Sequence, residues 1–382
     1  MSRDADDALA SREALRDFLS LIEEVDRDFL SEERRVTAAS DVAEGEHMLL
    51  HLVKAALDVW VDNDAARPRF APLASPVLKW GGEGADNPSH CAPLDPNRRY
   101  RIRGRMQDEV YISFTVYTGK AEGDWNDGVI SALNHTEFEV AEDGSFEIEI
   151  LPSPAPGALH MEAGKPNCVI SRHYWEDEIC GMADPSKRAL LEIECLDEPG
   201  YPRPLGPDRL ADKLAAARNF VHGQTLARPA NPDPSQQPEW FSLVPNTLPK
   251  PMKWIPSEGG GAGAVDNAYC AGLVVLGPDE ALVVEGRWPE CVYANVMFWN
   301  RFQQAPDYRY RSCSLNRKQM ESDDEGRFRF VVAHEDPGVP NWIDTEGHAA
   351  GTLYWRFLLP EGDIEQPRSE VVPLASLRER PA

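Results

Sequence analysis

No apolar run in this 382-residue chain approaches the roughly 20 residues needed to span a bilayer. Basic charge is also scarce. Against 64 Asp and Glu stand only 39 Lys and Arg, a formal net charge of -25, which repels nucleic-acid phosphates and anionic lipid surfaces. Neither nucleic acid nor membrane is an expected partner. The seven cysteines (Cys91, Cys168, Cys180, Cys195, Cys270, Cys291, Cys313) are odd in number, scattered and never spaced as CxxC, which fits reduced thiols better than a disulfide framework or a zinc site. Cofactor motifs are missing as well. The GGEG at Gly81–Gly84 and the GGGAG at 259–263 neither follow a strand and open a helix nor carry the Lys-Ser/Thr of a phosphate loop. No nucleophile-elbow serine occurs, and His47 and His51, four apart beside Glu44, have no HExxH order and no third ligand, so no metal is expected. The start, MSRDADDALAS, is acidic and lacks the apolar core of a signal peptide, so a cytoplasmic protein is expected.

What is present begins with helical periodicity. Residues 6–32 place Leu15, Phe18, Leu19, Ile22, Val25 and Phe29 at helical spacing, which predicts one buried stripe. A second helix is expected to start with Ser40 or Asp41 as cap, to bury Met48, Leu49, Leu52, Val53, Ala56, Leu57 and Trp60, and to end by Arg67-Pro68. Together they predict an N-terminal helical hairpin over 1–67.

From about Phe70 the pattern changes to period-two alternation: RYRIRGR, EVYISFTVY, EFEVAEDGSFEIEILP, NCVISRHYW and ALLEIECL, separated by Gly, Asn, Asp and Pro clusters. These are antiparallel strands, with Asp143-Gly144-Ser145 as a hairpin turn. A helix from Pro207 and a proline-rich strap over 228–252 interrupt them, and strand texture resumes in ALVVEGR, CVYANVMFW, RFRFVVAH and GTLYWRFLLP. The second block repeats the first. Lys79-Trp80 corresponds to Lys253-Trp254, Asp86-Asn87 to Asp266-Asn267 and Tyr111 to Tyr293, and Gly104/Gly286 and Gly144/Gly326 are separated by one common interval. The expected fold is therefore mainly β: two related antiparallel, jelly-roll-like β-sandwiches at 68–198 and 253–375, with a helix and Pro-rich linker at 199–252 between them. Shared residues are expected to be structural, the Asp-Asn pairs holding turns, with lining a pocket as the alternative, and the tyrosines packing.

Residues that break the repeat are the functional candidates. In GVPNWIDTEGHAAGTLYWRFLLP, alternation would set Trp342, Asp344, Glu346 and His348 on one side of an extended segment. Asp344 or Glu346 would then be a base, His348 an acid and Arg356 an anion partner. Trp342, Trp355, Trp299, Tyr293 and Arg172 would line an aromatic pocket of the second sandwich. The competing reading is a surface loop whose Asp and Glu hold turn geometry or pair with Arg356. The expected partner is a small apolar or aromatic molecule, turned over by hydratase-, dehydratase- or isomerase-type chemistry; the alternative is a non-catalytic sandwich that forms a homo-oligomer or binds a partner protein.

The pattern Pro337-Gly338, Asn341-Trp342, Asp344-Thr345, Gly347-His348, Gly351-Thr352 and Arg356 resembles bacterial proteins of the domain of unknown function 1214. KWGGEGADNPSHCAPLDPNRRYRIRGR is similar to their upstream regions, so the resemblance covers roughly 68–360. It implies a jelly-roll or sandwich fold and says little about activity.

Overall fold

A computed structural model describes residues 3–231, 233–255 and 263–378; most of the GGGAG stretch lies outside them. Helix α1 (Arg3–Glu24) buries Phe18 and Leu21, and the wide turn that continues it, Val25–Phe29, buries Val25. The predicted stripe is displaced: Leu15 and Leu19 are 46% and 51% exposed, because α1 turns its Phe18–Leu21 edge to its neighbours. Helix α2 (Ala39–Ala56) begins one residue before Ser40, has no side-chain cap, and runs on as a single wide turn, Leu57–Val61. Asp41 is held instead by Arg301, at 2.6 Å. The third helix, α3 (Pro207–Gln224), starts at its proline as predicted and packs on α1 and α2, so the expected hairpin is one part of a three-helix layer. Among the described residues no helix is long and apolar enough to cross a membrane.

The first sandwich contains β1 (Ala71–Ala74), β2 (Ser89–Leu94), β3 (Tyr100–Arg105), β4 (Tyr111–Thr118), β5 (Gly128–Asn134), β6 (Ser145–Leu151), β7 (Leu159–His160), β8 (Asn167–Tyr174) and β9 (Leu190–Cys195). Its sheets have the orders β1-β2-β8-β4-β5 and β7-β6-β3-β9, and Ile102, Phe114, Ile148, Ile150 and Val169 fill the space between them. The FEVAE arm of the predicted hairpin makes only a bridge, Val140 to Phe146, before Gly144 turns the chain at φ 84°.

The strap supplies β10 (Phe241–Ser242) and β11 (Met252–Lys253), which join the second sandwich of β12 (Asn267–Val275), β13 (Glu280–Arg287), β14 (Tyr293–Trp299), β15 (Ser314–Asn316), β16 (Arg327–Ala333), β17 (Trp342–Asp344), β18 (Ala350–Leu358) and β19 (Arg368–Pro373). Their orders are β10-β12-β18-β14-β15, with β11 on β12, and β17-β16-β13-β19. From β2 and β12 onward the two sandwiches match strand for strand.

In both, the sheet containing β8 or β18 turns its outer face to the other half. Along β8, Val169 enters the sandwich core while Ile170, Arg172 and Tyr174 face out; along β18, Leu353, Trp355 and Phe357 enter the core while Tyr354 and Arg356 face out. Crossed bonds lock the halves together. Tyr293 donates to Asp86 at 2.7 Å and Asn316 to the same carboxylate at 3.2 Å, while Tyr111 and Asn134 donate to Asp266. Each aspartate thus serves the sandwich it does not belong to. Tyr111, Tyr174, Tyr293 and Leu358 pack at the centre of this joint, and Arg317 grips Glu176 through two bonds of 2.7 and 2.6 Å.

Candidate functional site

Between the outward faces of β8 and β18 lies a cleft of about 830 Å³, closed on a third side by the end of α3 and on a fourth by the strap. Its walls are aromatic. Trp240 of the strap stands 5.3 Å from Tyr269 and 6.0 Å from Tyr354, and Tyr354 stands 4.3 Å from Trp299. Opposite them Trp80 and Trp125 stack at 6.1 Å, both backed edge-on by Phe220 of α3.

Two arginines from matching positions enter this space, and both are buried, with Arg172 7% and Arg356 6% exposed. Arg172 donates to the Tyr117 hydroxyl at 2.9 Å. The Arg356 guanidinium lies 5.0 Å from the ring centres of both Trp299 and Tyr354 and donates to the Gly82 and Glu83 carbonyls and the Met297 sulfur. Gly82, at φ 85°, has room for this only without a side chain, since a Cβ there would fall 2.8 Å from the Trp299 ring.

Polar groups are sparse and placed. Asn87 Oδ1 and Asn267 Oδ1, on two buried lining residues, accept no hydrogen bond from the described residues. Glu83 is buried, with Oε1 accepting from the Ala305 amide at 2.8 Å and Oε2 left without a donor among the described residues. Burial pushes its carboxyl up to about 7, opposed chiefly by Lys79. Lys79 itself donates to the Ala305 and Pro306 carbonyls at 2.9 and 2.8 Å and sits over the Tyr308 ring.

Of the side chains singled out in the sequence, Arg172, Trp299 and Arg356 meet in this cleft and the others do not. Trp355 cannot share a wall with its neighbour Arg356, because adjacent strand residues face opposite ways; it is fully buried in the second core. Tyr293 is spent on the Asp86 joint, and Trp342 donates to the Ala333 carbonyl at 3.1 Å beside the C-terminal segment. The extended run expected through His348 ends at Asp344, where β17 gives way to a turn with Glu346 at φ 55° and Gly347 at φ 81°. Arg311 then holds Asp344 and Glu346, each at 2.8 Å. His348 instead reaches α2, 2.6 Å from Glu44. The cleft is thus between the sandwiches and not inside the second one. Trp80, Trp125, Tyr269, Tyr354 and Glu83 were missed as site residues; the outward register of Tyr354 beside Arg356 was the signal that would have found that wall.

The Glu44 bond lifts His348 to about 8. A raised imidazole pKa means that this tie between α2 and the second sandwich contributes fully below the ordinary value of 6.5 and is lost as pH climbs through about 8. Wild type is expected to lose about 1 kcal/mol more than Glu44→Gln between pH 6 and pH 9, after allowing for solvent screening. Urea midpoints at both pH values measure this, and equal losses in the two proteins would count against the tie.

Fold and cleft define a class: a double β-sandwich whose halves enclose one ligand-sized, aromatic-walled space. Residues 290–362, a segment of the second sandwich, match the model of the family described as Protein of unknown function (DUF1214). The match is narrower than the span of the resemblance in the sequence. Over 97% of its length the chain is similar to an uncharacterized protein from Burkholderia cenocepacia, at 28% identity, a TM-score of 0.82 and 99% coverage of that chain. The VPA0106 protein from Vibrio parahaemolyticus aligns over 85% of this chain and 98% of its own at 12% identity, with a TM-score of 0.45. No curated protein matches.

Proposed function

We propose that this chain binds a small, flat, largely apolar organic molecule in the cleft between its sandwiches. The observation that carries this reading is the continuous aromatic wall Trp240–Tyr269–Tyr354–Trp299 facing the Trp80–Trp125 stack across about 830 Å³, a volume within the usual range of small-molecule sites. Acid/base chemistry by Asp344, Glu346 and His348 is not part of the proposal, since those groups are paired with Arg311 and Glu44 and do not line the cleft.

Calorimetric titration with 2-naphthalenemethanol and 2-naphthoate tests it. At least one probe is expected to bind with Kd below about 1 mM. Trp240→Ala, which opens the strap side of the wall without touching either core, is expected to weaken that binding about tenfold, the loss of one aromatic contact and its buried area. Absence of saturable binding by both probes, or wild-type affinity in the variant, sinks the reading.

A further inference from the structure

The aromatic wall alone would suit a neutral hydrocarbon, but it is built around a cation. Arg356 has every acceptor it contacts neutral: two carbonyls and a thioether. Among the described residues no carboxylate lies within 4 Å of it, in a chain that carries 64 acidic side chains. Among the described residues three carboxylates line the cleft, and each has another partner. Asp127 meets Lys165 at 3.4 Å, Asp124 accepts from the amides of Lys120 and Asn126, and Glu83 accepts from the Ala305 amide and responds to Lys79 before Arg356. A guanidinium has five N–H donors in a planar fork, and the bonds to Gly82, Glu83 and Met297 come from the two terminal nitrogens, leaving Nε without an acceptor among the described residues. Burying a cation without a counter-charge is costly, and the cost is removed when an anion arrives.

We propose that the molecule bound here is an organic carboxylate, its anionic group docked on Arg356 and its flat body laid on Tyr354 and Trp240. The proposal rests on the cleft being a small-molecule site and adds the charge of its occupant. The matching Arg172 enters the same space from the other sandwich. Placed this way, the ring system covers the aromatic wall and the carboxylate replaces water at the exposed edge of the fork.

The test compares 2-naphthoate with 2-naphthamide, which has the same shape and no charge, by calorimetry on the intact chain. Naphthoate is expected to bind wild type at least tenfold more tightly, about the 1.4 kcal/mol at the lower end for one charge-assisted hydrogen bond. In Arg356→Gln the preference is expected to disappear while naphthamide affinity stays within about threefold; Arg356→Lys, which keeps the charge and loses the planar fork, should retain part of it. Equal or tighter binding of naphthamide to wild type overturns the charge assignment and leaves the cleft reading standing. A preference that survives intact in Arg356→Gln overturns the role of Arg356. If neither probe binds wild type, this reading falls, and the 2-naphthalenemethanol titration separately decides the cleft reading.

Discussion

Asp86→Ala is expected to destabilise the chain by about 3–5 kcal/mol, the largest effect of any single polar substitution in this fold. Asp86 is fully buried and accepts from Tyr293, Asn316 and the Gly181 amide, so its removal strands three donors at the centre of the joint. Tyr293→Phe removes one donor and leaves the carboxylate two others, and should cost about 1–1.5 kcal/mol. Urea denaturation of both variants against wild type measures the difference; a value for Asp86→Ala no larger than that for Tyr293→Phe would show that the joint does not depend on the carboxylate. Burial raises Asp86 to about 6. Because its folded pKa lies above the ordinary one, its contribution to stability grows as pH falls from 6 toward 3.8, so mild acid tightens this joint while Asp86→Ala removes the effect.

A comparable loss, about 4 kcal/mol, is expected for Trp355→Ala, with a quite different functional signature. Trp355 packs against Phe330 within the second core, at 5.6 Å between ring centres, and is shielded completely from the cleft by its own strand. The cavity left behind is closed by β-sheet on both sides and cannot collapse cheaply. Trp355→Phe, a milder truncation, should lower the urea midpoint while leaving naphthoate affinity within about twofold of wild type. If its affinity instead falls as far as that of Trp240→Ala, the division between core and cleft faces of β18 is wrong.

That division was available in the sequence and was not used. Period-two alternation assigns β18 as a strand, and the same rule sends Trp355 and Arg356 to opposite faces, so the two cannot line one site. Strand texture, the start of α3 at Pro207 and the matching of the two blocks were all legible, since each depends on residues close together in the chain or on a repeated interval. The roles of Asp86, Asp266, Tyr111 and Tyr293 were not. Spacing marks them as equivalent, but a bond from one sandwich to the other has no local signature, so an aspartate that accepts a distant tyrosine looks like one that holds a turn. Glu346 and His348 do not align with Trp342 and Asp344 for a local reason: Gly347 permits the left-handed turn that ends the alternation. Leu15 and Leu19 mislead in another way, because apolar residues on a helix do not all belong to its buried side.

The crossed aspartates carry one more consequence. What the first sandwich gives through Asp86 it receives back through Asp266, which is the pattern of an isologous contact between two identical subunits, here written into one polypeptide. A chain with only one such half would leave its tyrosine and its aspartate facing water until a second copy arrived. The cleft sits on that same seam, with one arginine from each side. Within one polypeptide the two arginines have different surroundings: Tyr117 beside Arg172, and both Trp299 and Tyr354 beside Arg356. A symmetric dimer would have to present the same face twice, whereas on the reading proposed above two unlike faces in one chain would suit a molecule whose two ends differ.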